Sequence, residues 1–340
     1  MAGTVLVTGG TGYIAGELIK QLLAKGWNIH TTVRDKAKSE AGLFERFGQP
    51  GERLKVFQAE LMSDDGWAQA NAGCTHVAHV ASPLSAQTPK DENDMIVPAR
   101  EGTLRALRFA KAAGVTRFVQ TSSIAAVAYG RGDMEYTVTE SDWTDVSDPD
   151  TTPYAKSKTI AERAARDWVA AEGGDIEFVS VNPVLVLGPV DSADFSPSVQ
   201  PVQMLLNGKV PRTPDIGFGV VDTRDVADLH VRCLETPGIA GERFIAAGKF
   251  MKMIDLANVL QSGLTPQEAR KVPAKAMPGW MASLFMLVNS EFRSVKNELG
   301  RVRHSDASHA EKVLGWKTRS EEESVLDCAR SLIDLGVVKV

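Results

Sequence analysis

Cysteine is scarce: Cys74, Cys233 and Cys328 are the only three in 340 residues, and they lie far apart. An odd, scattered set leaves no disulfide framework and no CxxC or Cys/His metal spacing. A reducing, cytoplasmic setting without a bound metal is the simplest expectation. Positive charge is not in excess either. With 38 Lys and Arg against 43 Asp and Glu, the net charge is −5, which argues against a nucleic-acid partner. No block of like charges marks a tail. Long apolar runs are missing. The most apolar stretch, "WMASLFMLV" at 280–288, is too short to span a bilayer and reads as a core or interface helix, so no membrane partner is expected. The beginning, "MAGTVLVTGG", enters a strand without the basic flank and apolar run of a signal peptide. Aromatic residues make up 6%, and only four are tyrosines.

What is present fits a soluble globular protein, 43% apolar and 24% charged. The length suits about two domains. In the first 180 or so residues, short apolar runs alternate with amphipathic stretches. "TVLVT" (4–8), "NIHTTV" (28–33), "RLKVFQ" (53–58), "HVAHVA" (76–81), "RFVQTS" (117–122) and "IEFVSVN" (176–182) read as strands. "GYIAGELIKQLLAKG" carries Ile14, Leu18, Ile19, Leu22 and Leu23 on one helical stripe and ends at Gly26. A second helix is expected over 100–114 and a third from about Tyr154. Such alternation predicts a doubly wound parallel α/β sheet covered on both faces.

The pattern degrades after about residue 190, where Pro189, Pro197, Pro201, Pro211 and Pro214 break the chain. Short helices are expected at roughly 223–235, 252–262, 278–290, 305–314 and 320–336. The division this suggests is a nucleotide-binding domain over 1–190, with a returning segment at about 221–246. A smaller, mostly helical substrate region would span 191–220 and 247–340.

Between the first strand and first helix lies "VTGGTGYIAG" (7–16). Gly9, Gly12 and Ala15 fall at the spacing of a dinucleotide-binding turn: a reversal, a close approach to pyrophosphate, and a small residue for helix–strand packing. The free N–H groups of the helix N-terminus then face phosphate. The second strand ends in "TTVRDKAK" (31–38). An acid at this place accepts from a ribose 2′-hydroxyl, whereas an arginine accommodates a 2′-phosphate. Arg34 precedes Asp35, and Lys36 and Lys38 follow, which tips the reading towards NADP.

One tyrosine, Tyr154, has a lysine four residues on, in "TTPYAKSKTIAERAA" (151–165). Residues so spaced share a helix face. Tyr154 and Lys158 can be a packing pair or an acid and the cation that tunes it. The fifth strand runs into "TSS", placing Ser122 and Ser123 at the carboxyl edge, where ligands of open α/β sheets bind.

Together, the glycine loop, the YxxxK pair and the serine resemble the extended short-chain dehydrogenase/reductase family. "HVASP" (79–83), "VNPVLVLGP" (181–189), "VDTRDVADLH" (221–230) and "LGWKTRSEEES" (314–324) are similar to its dihydroflavonol reductase, cinnamoyl-CoA reductase and fungal aldehyde/ketone reductase branch. The resemblance implies a Rossmann-type fold and an NADPH-dependent oxidoreductase that reduces an aldehyde or ketone. Ser123, Tyr154 and Lys158 would be catalytic, with Lys158 lowering the Tyr154 pKa and holding the nicotinamide ribose. It also implies cofactor contacts from Thr11, Gly12, Tyr13 and Ile14 in the phosphate loop, and from Arg34 and Lys38 at the 2′-phosphate. Glu60 and Leu61 would meet the adenine, Val80, Ala81 and Ser82 the ribose, Pro183 and Val186 the nicotinamide, and Ser198 the phosphates. Three positions depart from the pattern: Ala15 stands for a glycine, Glu60 for an aspartate, and Ala128 for an asparagine that binds substrate in the plant dihydroflavonol reductases.

The expected substrate is a small apolar or aromatic carbonyl compound, with Phe195, Phe218, Trp280, Met281, Phe285 and Met286 as candidate cleft residues, in a monomer or homodimer. Three alternatives remain open on the sequence: a nucleotide-sugar epimerase or dehydratase, a hydroxysteroid dehydrogenase, and a non-catalytic NADP sensor. The adjacent acid pair typical of dehydratases is missing after Ser123.

Overall fold

The computed structural model describes residues 3–83, 89, 91–192, 196–209, 211–279, 281 and 298–339. Among them, seven parallel strands form one sheet: β1 (Thr4–Thr8), β2 (Asn28–Val33), β3 (Leu54–Gln58), β4 (His76–His79), β5 (Arg117–Thr121), β7 (Glu177–Pro183) and β10 (Arg243–Ala246). The spatial order is β3-β2-β1-β4-β5-β7-β10. The order reverses between β1 and β4, so the turns leaving those two strands diverge and open a crevice at the carboxyl edge.

The strand alternation explains why both faces are covered. Val5 and Val7 of β1 join one core and Leu6 the other. In β5 and β7, Val119, Val179 and Val181 face the first core, while Phe118 and Phe178 face the second. Side chains on a strand point alternately to opposite faces, so a continuous apolar run must be buried on both. Helices α1 (Tyr13–Ala24) and α7 (Thr223–Glu235) pack on the first face. Helices α3 (Trp67–Asn71), α4 (Asn93–Ala112) and α5 (Pro153–Glu172) cover the second. Helix α2 (Lys36–Arg46) lies beside β3.

Two boundaries differ from expectation for identifiable reasons. β4 stops at His79, not at residue 81, because the Val80 and Ala81 N–H groups donate to Thr8 Oγ1 at 3.0 and 2.9 Å. α4 begins at Asn93, not at residue 100, and includes Pro98. Burial of Met95, Ile96 and Ala99 offsets the hydrogen bond that proline removes.

The C-terminal region carries the expected helices α8 (Met253–Gly263), α9 (Ser308–Leu314) and α10 (Glu321–Asp334). The expectation for 278–290 falls largely outside the described residues. Short strands that periodicity does not disclose complete the region. β8 (Leu185–Leu187), β9 (Gly217–Asp222) and β11 (Phe250–Lys252) form a small mixed sheet, and β12 (Val302–Ser305) pairs with β6 (Glu135–Val138). α6 (Gln200–Leu206) precedes β9. The "LGWKTRSEEES" segment is a structural lock: Trp316 Nε1 donates to the Asp225 carbonyl at 2.8 Å, and Arg319 pairs with the Asp225 carboxylate. No helix among the described residues is long and apolar enough to cross a membrane, and the three cysteines are buried and unpaired.

Candidate active site

The glycine loop leaves β1 at the point where the sheet reverses. Gly9 takes φ +74°, a left-handed conformation, and a Cβ there would stand 3.2 Å from that of Ala81. At Gly10 an added Cβ would fall 2.2 Å from Thr31 Oγ1. Gly12 begins α1 with no side-chain cap, so the first N–H groups, of Tyr13 and Ile14, have no intrahelical partner and face outward. Thr11 is exposed. The side chain of Tyr13 does not share in this groove: it is buried, and its hydroxyl donates to the Gly188 carbonyl at 2.8 Å.

At the end of β2, Arg34 is exposed and makes no ion pair or side-chain hydrogen bond among the described residues. Asp35 is occupied. Its carboxylate caps α2 by accepting from the Lys38 N–H at 3.1 Å, and it pairs with the Lys38 ammonium at 3.3 Å. The acid that could take a ribose 2′-hydroxyl is therefore turned to its own helix, while the guanidinium suited to a 2′-phosphate stands free. Glu60 is exposed, with its carbonyl accepting from Trp67 Nε1 at 2.9 Å, and Leu61 packs against Gly102. Val80, Ala81 and Ser82 line the strand end partly buried.

Thr8 fixes that strand end. Its hydroxyl accepts from Val80 and Ala81, so its own hydrogen goes to His79 Nδ1, 3.1 Å away. His79 must then be neutral with its proton on Nε2. Burial, followed by the charge of Lys158, pushes its pKa down to about 3.

Helix α5 delivers the tyrosine and lysine. Thr152 caps it, accepting from the Ala155 N–H at 3.2 Å, and Pro153 occupies its first position. Tyr154 Oη lies 3.5 Å from Ser123 Oγ, and Lys158 Nζ is 5.9 Å from the centre of the Tyr154 ring. Ser123 Oγ accepts from the Ala125 N–H at 3.1 Å, which leaves the serine hydrogen free to donate. The expectation that Lys158 lowers the Tyr154 pKa does not hold here. Burial raises it, the Ser123 contact opposes, and burial prevails. Lys158 is itself 8% exposed, and burial lowers its pKa to about 8 against the opposing charge of Glu162.

Ser123 and Tyr154 open into a cavity of about 340 Å³. Its walls are mostly apolar: Ile124 and Ala128 on one side, Val184 and Leu185 on another, and Phe218 and Phe250 from β9 and β11. Ser198 stands on this wall, and its buried hydroxyl has no partner among the described residues. Pro183 and Val186 are buried, whereas the intervening Val184 and Leu185 reach the cavity. Of the apolar residues expected here, Phe218 lines the cavity. Met281 is partly buried but not on its wall. Phe195, Trp280, Phe285 and Met286 lie outside the described residues.

Sequence reasoning missed Tyr129 and Arg303. The Arg303 guanidinium lies 4.5 Å from the Tyr129 ring centre, bonds Tyr136 Oη at 2.9 Å through Nε, and pairs with Glu298. Its charge is thus balanced inside the protein. Arg303 and Ser305 share a strand face at period two, but four residues are too few to show that in sequence. Among the described residues no cluster of three or more His, Cys, Asp or Glu could hold a metal.

The sequence matches the NAD-dependent epimerase/dehydratase family over residues 5–246. It is 34% identical to cinnamoyl-CoA reductase CAD2 of Medicago truncatula over 247 residues, 71% of this chain and 75% of the other. It is 32% identical to tetraketide alpha-pyrone reductase 1 of Arabidopsis thaliana over 341 aligned positions, 98% and 96% of the two chains. Yeast methylglyoxal/isovaleraldehyde reductase Gre2, solved with NADPH, superposes with a TM-score of 0.81 at 25% identity, covering 99% of this chain and all of that one.

Proposed function

The chain belongs to the NAD-dependent epimerase/dehydratase family, and we propose that it is an NADPH-dependent reductase converting aldehydes or ketones to alcohols. The observation that carries this reading is the pair of hydroxyls, Ser123 and Tyr154, 3.5 Å apart at one end of a largely apolar cavity. The reductases named among its relatives support it.

The groove fits the cofactor. The Gly9 turn and the uncapped start of α1 suit a pyrophosphate. Arg34, unpaired among the described residues, suits a 2′-phosphate, to which Lys38, now paired with Asp35, would be the second basic group; the Ser198 hydroxyl, without a partner among the described residues, suits a further polar contact. Glu60 and Leu61 would border the adenine, and Val80, Ala81 and Ser82 the ribose. NADPH would supply the hydride.

The protein's own groups do the rest. Ser123 donates its free hydrogen to the substrate oxygen as negative charge develops there. Tyr154 then gives that oxygen a proton. A phenol whose pKa is raised by burial is protonated at neutral pH, which suits it to donate in the direction of reduction. Lys158 presents positive charge 5.9 Å from the centre of the tyrosine ring and would hold the nicotinamide ribose. The apolar walls take the hydrocarbon part of the substrate and exclude water. Among the described residues no unpaired cation lines them, since Arg303 is paired with Glu298, which matches a diphosphate-bearing sugar nucleotide poorly.

Mixing the protein with NADPH and a panel of aldehydes, ketones and sugar nucleotides, and following loss of the reduced cofactor, tests the reading. Consumption with the carbonyl compounds supports it. Conversion of a sugar nucleotide without net consumption would establish an epimerase instead, and binding without turnover a sensor.

A further inference from the structure

Helix α5 carries a third polar residue on the face of Tyr154 and Lys158. Glu162 is one turn beyond the lysine and has no exposure. Its carboxylate gathers donors from β7, from the start of β10 and from Ser122 just past β5. Oε2 accepts from Ser122 Oγ at 2.6 Å and from Asn182 Nδ2 at 2.9 Å. Oε1 accepts from Ser180 Oγ at 2.8 Å and from Arg243 Nε at 2.7 Å. Arg166, one turn further along α5, approaches Oε1 at 3.3 Å. Two arginines and three neutral donors leave the buried charge compensated.

Two of these contacts lead directly to the serine. Ser122 is its neighbour in the chain, and the Ser122 N–H is held by the Val181 carbonyl at 2.8 Å. Asn182 uses its other amide hydrogen on the Ser123 carbonyl, at 3.1 Å. The Ser123 backbone is therefore tethered from both β5 and β7 to one carboxylate on the helix that bears Tyr154 and Lys158.

We propose that Glu162 is a positioning residue for the reduction: through Ser122 and Asn182 it sets where the Ser123 hydroxyl stands relative to Tyr154. The inference rests on the assignment of Ser123 and Tyr154 as the groups that meet the substrate oxygen.

Replacing Glu162 would strand Arg243 and Arg166, and the protein could fail to fold for that reason alone. The links are the better targets. Ser122→Ala and Asn182→Ala should each lower kcat about tenfold while the NADPH dissociation constant stays within about twofold. The decisive measurement is epistasis. In a Ser123→Ala background, adding Ser122→Ala should change kcat by less than about twofold, because there is no longer a hydroxyl to position. A scaffold contact unrelated to Ser123 would cost the same factor in both backgrounds. That result, or a wild-type kcat in both single variants, overturns the inference. If Ser123→Ala itself turns over normally, the catalytic assignment falls and the inference with it. If Ser123→Ala is impaired while Ser122→Ala and Asn182→Ala are not, only the inference falls.

Discussion

Tyr154 Oη stands 3.5 Å from Ser123 Oγ, the far limit of a hydrogen bond. Two hydroxyls at that separation can converge on one substrate oxygen between them. Tyr154→Phe removes the proton donor and keeps the ring. Turnover should fall by roughly 10²–10⁴, while NADPH binding, followed by fluorescence titration, is unchanged. Near-normal turnover would exclude Tyr154 as the acid.

Lys158 should govern the alkaline limb of the rate profile. Its pKa is lowered by burial to about 8, whereas that of Tyr154 is raised. As pH rises, the ammonium loses its charge before the phenol loses its proton. kcat/KM for reduction should therefore decline above about pH 8. Lys158→Arg, whose charge persists, should move that limb upward, and Lys158→Ala should lose both turnover and cofactor affinity. A limb that stays in place in the arginine variant would argue that another group controls it.

Arg34 should set the preference for NADPH. A charge-assisted contact to a 2′-phosphate is worth about 1.5–3 kcal/mol, so Arg34→Ala should weaken NADPH roughly ten- to hundredfold and leave NADH nearly as it was. Dissociation constants for the two cofactors decide the matter. A wild-type preference for NADH would transfer the role to Asp35.

The cavity should be permissive. Apolar walls discriminate by only about 1–3 kcal/mol per methylene-sized change. Specificity constants measured over aryl and alkyl ketones and aldehydes should thus spread across several related compounds. One substrate favoured by many orders of magnitude would contradict this.

Acid should destabilise the fold before most carboxylates titrate. His79 and His230 are buried, with pKa values lowered by burial to about 3 and about 4. The unfolded chain takes up these protons below about pH 6.5, and the folded chain does not. Their stabilising effect is complete above pH 6.5 and declines as pH falls, by about 1.4 kcal/mol per pH unit for each. His30 and His76, also lowered by burial, act in the same sense. Denaturant titrations at pH 7, 6 and 5 should show the slope, and His79→Gln should reduce it. Equal stability at the three values would refute the assignment of neutral histidines.

The sheet and the placing of Tyr154 beside Lys158 were legible because each has a periodic or local signature. Val5, Leu6 and Val7 announce a strand buried on both faces, and Tyr154 and Lys158 announce a shared helix face. Of the cavity walls, Phe218 was foreseen and most of the rest was not. Phe250 and Arg303 sit on strands of three and four residues, where period two has no room to show. Glu162 did not stand out in the sequence. A signal was available, since it continues the four-residue spacing from Tyr154 and Lys158 onto the buried face, but its partners come from β5, β7 and β10 and meet only in the fold. The Tyr154 pKa was misjudged for a related reason: the charge of Lys158 is visible in sequence, and the depth of burial is not.

Asp35 bears on how this chain can change over time. Its carboxylate anchors the first turn of α2, so freeing it to bind a ribose hydroxyl would cost the cap, about 0.5–2 kcal/mol of stability. Substitution at Arg34 alone can abolish one cofactor preference without creating the other. A lineage drifting from NADPH to NADH would have to cross a variant that is both poorer at binding and less stable, or first acquire a new cap nearby. On the proposed reading, cofactor choice would be guarded by the folding of α2, no residue of which lines the cavity beside Ser123 and Tyr154.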